Sequence, residues 1–193
     1  MEINYHEADS AEFRAAVESL RTAELRDELV IDQIDAPADL STNAMAFTAS
    51  ISDELSGPND QGTGRFVLMW EPKQPEAWAS NFRVVCFGKS PLEAEIGADD
   101  LGSDVAWAWL IEALTNRNAD YAASAGTATR IISRGYGSLS TQHDHAEIEV
   151  RASWSPLSNE LKNHFEAWQD FICIMSGFAH LPAGVTPLAK RAH

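Results

Sequence analysis

Apolar residues recur along this chain first at a helical period and then at a period of two, and the change of period divides the first third. Phe13, Val17 and Leu20 are spaced by four and three behind Asp9 or Ser10, either of which can cap, and Glu12 suits a first turn. This predicts a helix ending near Leu25. Leu29 to Ile34 reads as a modest strand closed by Ala36-Pro37, and Asp32 inside it marks a sheet edge. Met45, Phe47, Ala49 and Ile51 alternate with small or polar residues, the pattern of a strand with one buried face. Phe66 to Trp70 and Phe82 to Phe87 are apolar on both alternations apart from Arg83, which predicts central strands covered on both faces, or on one face by a partner.

Asp104 to Asn116 returns to the helical period. Trp107, Leu110, Ile111 and Leu114 make one narrow stripe, which leaves Trp109 and Val105 on roughly the opposite side of the cylinder. Thr127 to Ser133 follows as a strand. Ala146, Ile148, Val150, Ala152 and Trp154 alternate with Glu147, Glu149, Arg151 and Ser153, and the two acids are expected to pair with Arg130 and Arg134 across a hairpin. Ser158 is placed to cap a last helix whose Leu161, Phe165, Trp168, Ile172 and Met175 hold one face, with Gly177 to end it. The order is α-β-β-β-β-α-β-β-α. Adjacent strands in runs predict a single α+β domain over residues 1–193, an antiparallel or mixed sheet packed with helices, with loose ends at about 1–8 and 188–193. Trp154 and Trp168 are expected in its core.

Charge narrows the partners. The formal net charge is -15, and residues 1–60 hold fourteen Asp or Glu against three Arg. Such a field repels phosphate backbones and anionic headgroups, so no direct nucleic-acid binding and no membrane association are expected unless Arg83, Arg130, Arg134 and Arg151 cluster, whereas a basic protein partner is accommodated. Homo-oligomerisation is left open by the sequence. Cys86 and Cys173 sit in apolar runs without a neighbouring Cys or His and read as small buried hydrophobes. The start of the chain lacks a basic segment followed by an apolar one, so a cytoplasmic protein is expected.

Candidate chemistry is sparse. Phe87-Gly88-Lys89-Ser90 follows a strand, but a phosphate-binding loop needs glycine where Arg83 stands, and Pro91 limits a following helix. Gly62-Thr-Gly64 precedes a strand and reads as a hairpin loop. His143 and His145 could offer two imidazoles to a metal, yet no further spaced Cys or His completes a site. Glu93, Glu95, Asp99, Asp100 and Asp104 lack the alternation of a calcium loop and suit a helix N-terminus. No metal, no cofactor and no catalytic residue is therefore assigned. The residues left for a partner are Trp109, with Val105 beside it, and Trp78 in the Pro75-Glu-Ala-Trp loop.

Thr63-Gly-Arg-Phe-Val-Leu, Glu76-Ala-Trp, Asn81-Phe-Arg-Val-Val, the tryptophan helix, Gly126-Thr-Ala-Thr-Arg130 and Arg151-Ala-Ser-Trp-Ser-Pro-Leu running to His164-Phe-Glu-Ala-Trp168 resemble the actinobacterial family catalogued as domain of unknown function three thousand. That resemblance implies no activity and transfers no catalytic residue. The element order is similar to that of the type III secretion chaperone-like fold, which implies binding of protein segments. The expectation is a cytosolic, non-catalytic protein-binding or adaptor module. The alternative is an enzyme of unassigned chemistry whose site forms only in three dimensions.

Overall fold

A chain that changes from period 3.6 to period two and back must bury helix stripes against the apolar side of a sheet, and the computed structural model does so with one layer of each. It describes Ile3 and residues 10–55, 62–92, 101–139 and 145–178. The elements are α1 (Ala11–Arg21), β1 (Leu29–Ile34), β2 (Asn43–Ile51), β3 (Thr63–Trp70), β4 (Phe82–Leu92), α2 (Gly102–Asn116), β5 (Tyr121–Ser133), a 3-10 turn (Gly137–Leu139), β6 (His145–Pro156) and α3 (Lys162–Met175). Every strand pair is antiparallel and the spatial order is β1-β2-β3-β4-β6-β5. The fold is α+β in the predicted element order.

All three helices share one side of the sheet. α3 lies across β2, β3 and β4, α2 covers β5 and β6 beside it, and α1 packs on α3. Trp154 and Trp168 are 1% and 0% exposed. Phe47, Phe66, Phe165 and Trp168 meet beneath α3 with ring centroids 4.9 to 5.6 Å apart for the pairs across that interface and the Phe165–Trp168 pair, within the range of favourable tilted contacts. Two glycines admit the helix this closely. A Cβ at Gly64 would stand 2.6 Å from Ile172 Cδ1, and one at Gly88 would stand 2.8 Å from Phe171 Cε1. Phe87-Gly88-Lys89-Ser90 is thus strand, with Gly88 serving helix packing.

Polar residues tie the helix layer together. Asp170, 5% exposed on α3, accepts from Arg26 Nη1 at 3.0 Å and from Arg117 Nε at 2.6 Å, while Glu166 accepts from Arg117 Nη1 at 2.8 Å. Glu166 also accepts the Glu24 N–H at 2.9 Å, and Gln169 accepts the Arg26 N–H at 2.9 Å. This seam fastens the α1–β1 connection and the end of α2 to α3. Its charges compensate one another, and the hydrogen bond that Arg117 donates to Asp170 leads the effects that raise the Arg117 pKa.

Five local expectations are corrected. The buried stripe of α2 is Ala106, Leu110, Ala113 and Leu114, so Trp107 and Trp109 flank it on its two shoulders, each half-buried against the core. Small alanines let the helix sit close to its neighbours, which moves the buried direction between the two rings. Arg130 stands opposite Ile148 and so on the helix side, whereas Glu147 and Glu149 point to the other side and meet Lys89, His145 and Arg151. Alternation forbids the expected pairing of these acids with Arg130. Ser158 does not cap α3, because the helix starts too far along for its hydroxyl: the Lys162 N–H donates to Ser19 Oγ of α1 at 3.0 Å instead. β5 begins at Tyr121, six residues before the expected start. Ile3, inside the stretch expected to be loose, is buried, and its carbonyl accepts from Arg21 Nε at 3.1 Å. Glu93, Glu95, Asp99, Asp100, His143 and the tail 188–193 lie outside the described residues.

Candidate functional site

With every helix on one side, the second set of alternating side chains faces away from the helix layer. The register aligns it in rows. Asp32, Thr48, Arg65, Phe87, Arg151 and Thr127 form one row across all six strands, and Ile34, Ala46, Val67, Val85 and Ser153 form the next. Between them lies a trough of about 710 Å³, bounded by Val30 and Asp32 at β1 and by Arg151 at β6. Its volume falls in the range of sites that hold a ligand or an inserted side-chain cluster. Val30, Leu40 and Val85 line it at 49%, 43% and 38% exposure, and Phe87 is half-buried.

The cations on this face divide into engaged and open. Lys89 Nζ bonds Glu147 Oε2 at 2.8 Å, and that hydrogen bond is the leading reason Glu147 is held below the usual carboxylate range. Arg83 donates to the Ala123 carbonyl at 2.8 Å and to the hydroxyls of Ser155 and Ser153, and partial burial lowers its pKa. Arg151 lies over the Phe87 ring, with Cζ 5.1 Å from the centroid, while its Nε donates to Glu149 at 2.7 Å. Arg65, directly across Phe87 in the same row, has no hydrogen-bond or ion-pair partner among the described residues. Arg65 and Arg151 thus flank Phe87 on its two neighbouring strands in one row.

One end of the face is closed by the β3–β4 connection. Glu71 and Asn81 clamp it, the Glu71 N–H donating to the Asn81 carbonyl at 2.9 Å and Asn81 Nδ2 to the Glu71 carbonyl at 2.7 Å. The Trp78 N–H closes a turn on the Pro75 carbonyl at 2.9 Å, and its ring packs on Ala46, Val67 and Met69. Trp78 therefore lies on the open face. Trp109 lies in the helix layer, as does Val105, which is exposed on α2. The structure does not bring the two tryptophans together. Arg65, Phe87 and Arg151, which do converge, carried one legible signal, the apolarity of β4 on both alternations. The pairing that aligns them depends on strand order.

Both cysteines and His164 lie on the helix side of the sheet. Burial pushes the Cys173 thiol up to about 12 and the Cys86 thiol higher still, so both stay protonated. His164, 2% exposed, accepts the Trp154 Nε1–H on Nδ1 at 3.1 Å, and burial lowers its pKa to about 4. Among the described residues no three His, Cys, Asp or Glu side chains gather as a metal site, and no helix is long and apolar enough to cross a membrane.

No curated protein and no solved structure shows significant similarity to the chain. A family model does match. It spans residues 9–186, taking in every element of the sheet, the three helices and the open face with Arg65, Phe87 and Arg151, and the chain belongs to the family it defines, described as Protein of unknown function (DUF3000).

Proposed function

We propose that this protein is a protein-binding module, and that its docking surface is the open face of the sheet. The observation that carries the reading is the placement of Val85 and Phe87. They make β4 apolar on both alternations, yet only the Val84 and Cys86 side is covered by the chain's own helices. Apolar area left uncovered between charged strands is the composition of a recognition surface. A segment laid along the trough would bury Val30, Val85 and Phe87, and Asp32 at the acidic β1 border would meet a cation of that partner. Compartment and partner identity follow the same reading: a cytosolic adaptor engaging another protein, with the acidic first third steering basic portions of it.

Site-specific photocrosslinking tests the reading against a site in the helix layer. A benzoylphenylalanine at position 85 is expected to yield protein adducts from native cytosol, and Phe87→Ser in the same chain should abolish them while urea unfolding stays cooperative. Adducts formed from position 105 or 109 and absent from position 85 would move the docking surface to α2.

A further inference from the structure

We infer that the segment received by the open face is acidic where it crosses Phe87, its carboxylates taken by Arg65 and Arg151; this rests on the open face being the docking surface. The chain has 29 acidic residues against 14 Lys and Arg, so a cation on its surface finds an acid with little search. Lys89 and Arg151 each have one, and Arg83 is held by three oxygen acceptors. Arg65 has none among the described residues, although it lines the trough of about 710 Å³ on the open face.

The register supplies the spacing. Arg65 and Arg151 are rooted on β3 and β6 with β4 between them. Adjacent strands stand about 4.8 Å apart, so the two roots are about 10 Å apart, a span that carboxylates two or three residues apart on an extended segment cover. The floor between them is the Phe87 face, with Thr48 beside Arg65 in the row. Arginine bound to carboxylate in two-pronged geometry beside apolar cover is the strong form of surface ion pairing.

An aromatic ring between arginines on an open sheet also suits a stacked single strand of nucleic acid. Charge decides against it. Asp32, Glu147 and Glu149 share this face, and a protein at -15 repels a chain with one phosphate per residue far more than a segment with two or three carboxylates.

The test uses three fluorescein-labelled decapeptide mixtures with Val, Leu, Phe or Tyr randomised at alternate positions and Glu, Gln or Lys fixed at the others, plus a labelled uridylate decamer. Anisotropy titration of the full chain at 0.15 M NaCl is expected to show the Glu mixture binding at least tenfold tighter than the Gln mixture. Arg65→Gln with Arg151→Gln should bring that ratio to about one and leave the affinity for the Gln mixture unchanged. Equal binding of Glu and Gln mixtures, both lost in Phe87→Ser, overturns the acidic segment and keeps the docking face. Tighter binding of the Lys mixture or the uridylate overturns the acidic segment as well, and so does a Glu preference that survives the double substitution. No binding by any probe overturns both readings.

Discussion

Gly64 and His164 show how single residues in the interior set measurable properties. A methyl at Gly64 would meet Ile172 at 2.6 and 2.7 Å, so Gly64→Ala forces α3 off β3 and is expected to cost about 2 kcal/mol in urea unfolding. Ile172→Val removes Cδ1, the nearer of the two atoms that the methyl strikes. The double variant should therefore be more stable than the sum of the single losses by about 1 kcal/mol, and strict additivity would contradict the contact. His164 has a folded pKa of about 4 against about 6.5 when unfolded, so the unfolded chain binds the extra proton. Its contribution is intact above pH 6.5 and is lost as pH falls towards 4. Between pH 7.5 and 4.5 the wild type should lose about 2.5 kcal/mol more than His164→Gln, whose amide oxygen still accepts from Trp154; carboxylate titration is common to both and cancels. Equal losses would mean that His164 is charged in the fold.

At the scale of elements, what sequence pattern could reveal was periodicity, and what it could not reveal was which neighbour an element meets. β2 and β6 alternate large apolar residues with others, β4 is apolar on both alternations, and all three were legible. The first half of β5, Tyr121-Ala-Ala-Ser-Ala-Gly126, has side chains too small to show a period, so its extent came only with pairing to β6. α2 misled because its two large rings outweigh Ala106 and Ala113, the residues that permit close approach. On α3, Glu166, Gln169 and Asp170 look like a wet face between apolar positions. They are buried because Arg26 and Arg117 arrive from elsewhere in the chain. The open face was legible as a choice between two covers for β3 and β4, and only the helix layer's position selects the uncovered side. Asp170→Ala takes one carboxylate from both Arg26, which keeps Glu28, and Arg117, which keeps Glu166, and a loss of about 2 kcal/mol is expected, part of it recovered where Arg117→Met accompanies the change. A loss below about 0.5 kcal/mol would place the seam among exposed pairs of no consequence.

Over the whole molecule, repulsion among surface acids opposes the attraction within the seam, and ionic strength separates them. Asp27, Asp32, Asp35 and Asp39 are all exposed along β1 and its flanks, at an edge where they also discourage pairing with another sheet. The seam is largely enclosed, with Asp170 and Glu166 side chains 7% and 5% exposed. Raising ionic strength from 0.01 M to 0.15 M shortens the Debye length from about 30 to about 8 Å, which removes repulsion between separated surface charges and leaves enclosed pairs at 3 Å nearly untouched. The balance at net charge -15 therefore predicts stabilisation by salt, about 1 kcal/mol or a Tm increase of about 3 °C for a chain of this size. Asp27→Asn, Asp35→Asn and Asp39→Asn together should reduce that increase, and the third is compatible with its backbone, since Asp39 has φ 59°, a conformation asparagine also adopts. A Tm that falls with added NaCl would instead assign the dominant electrostatic contribution to the pairs that bind α1, α2 and α3.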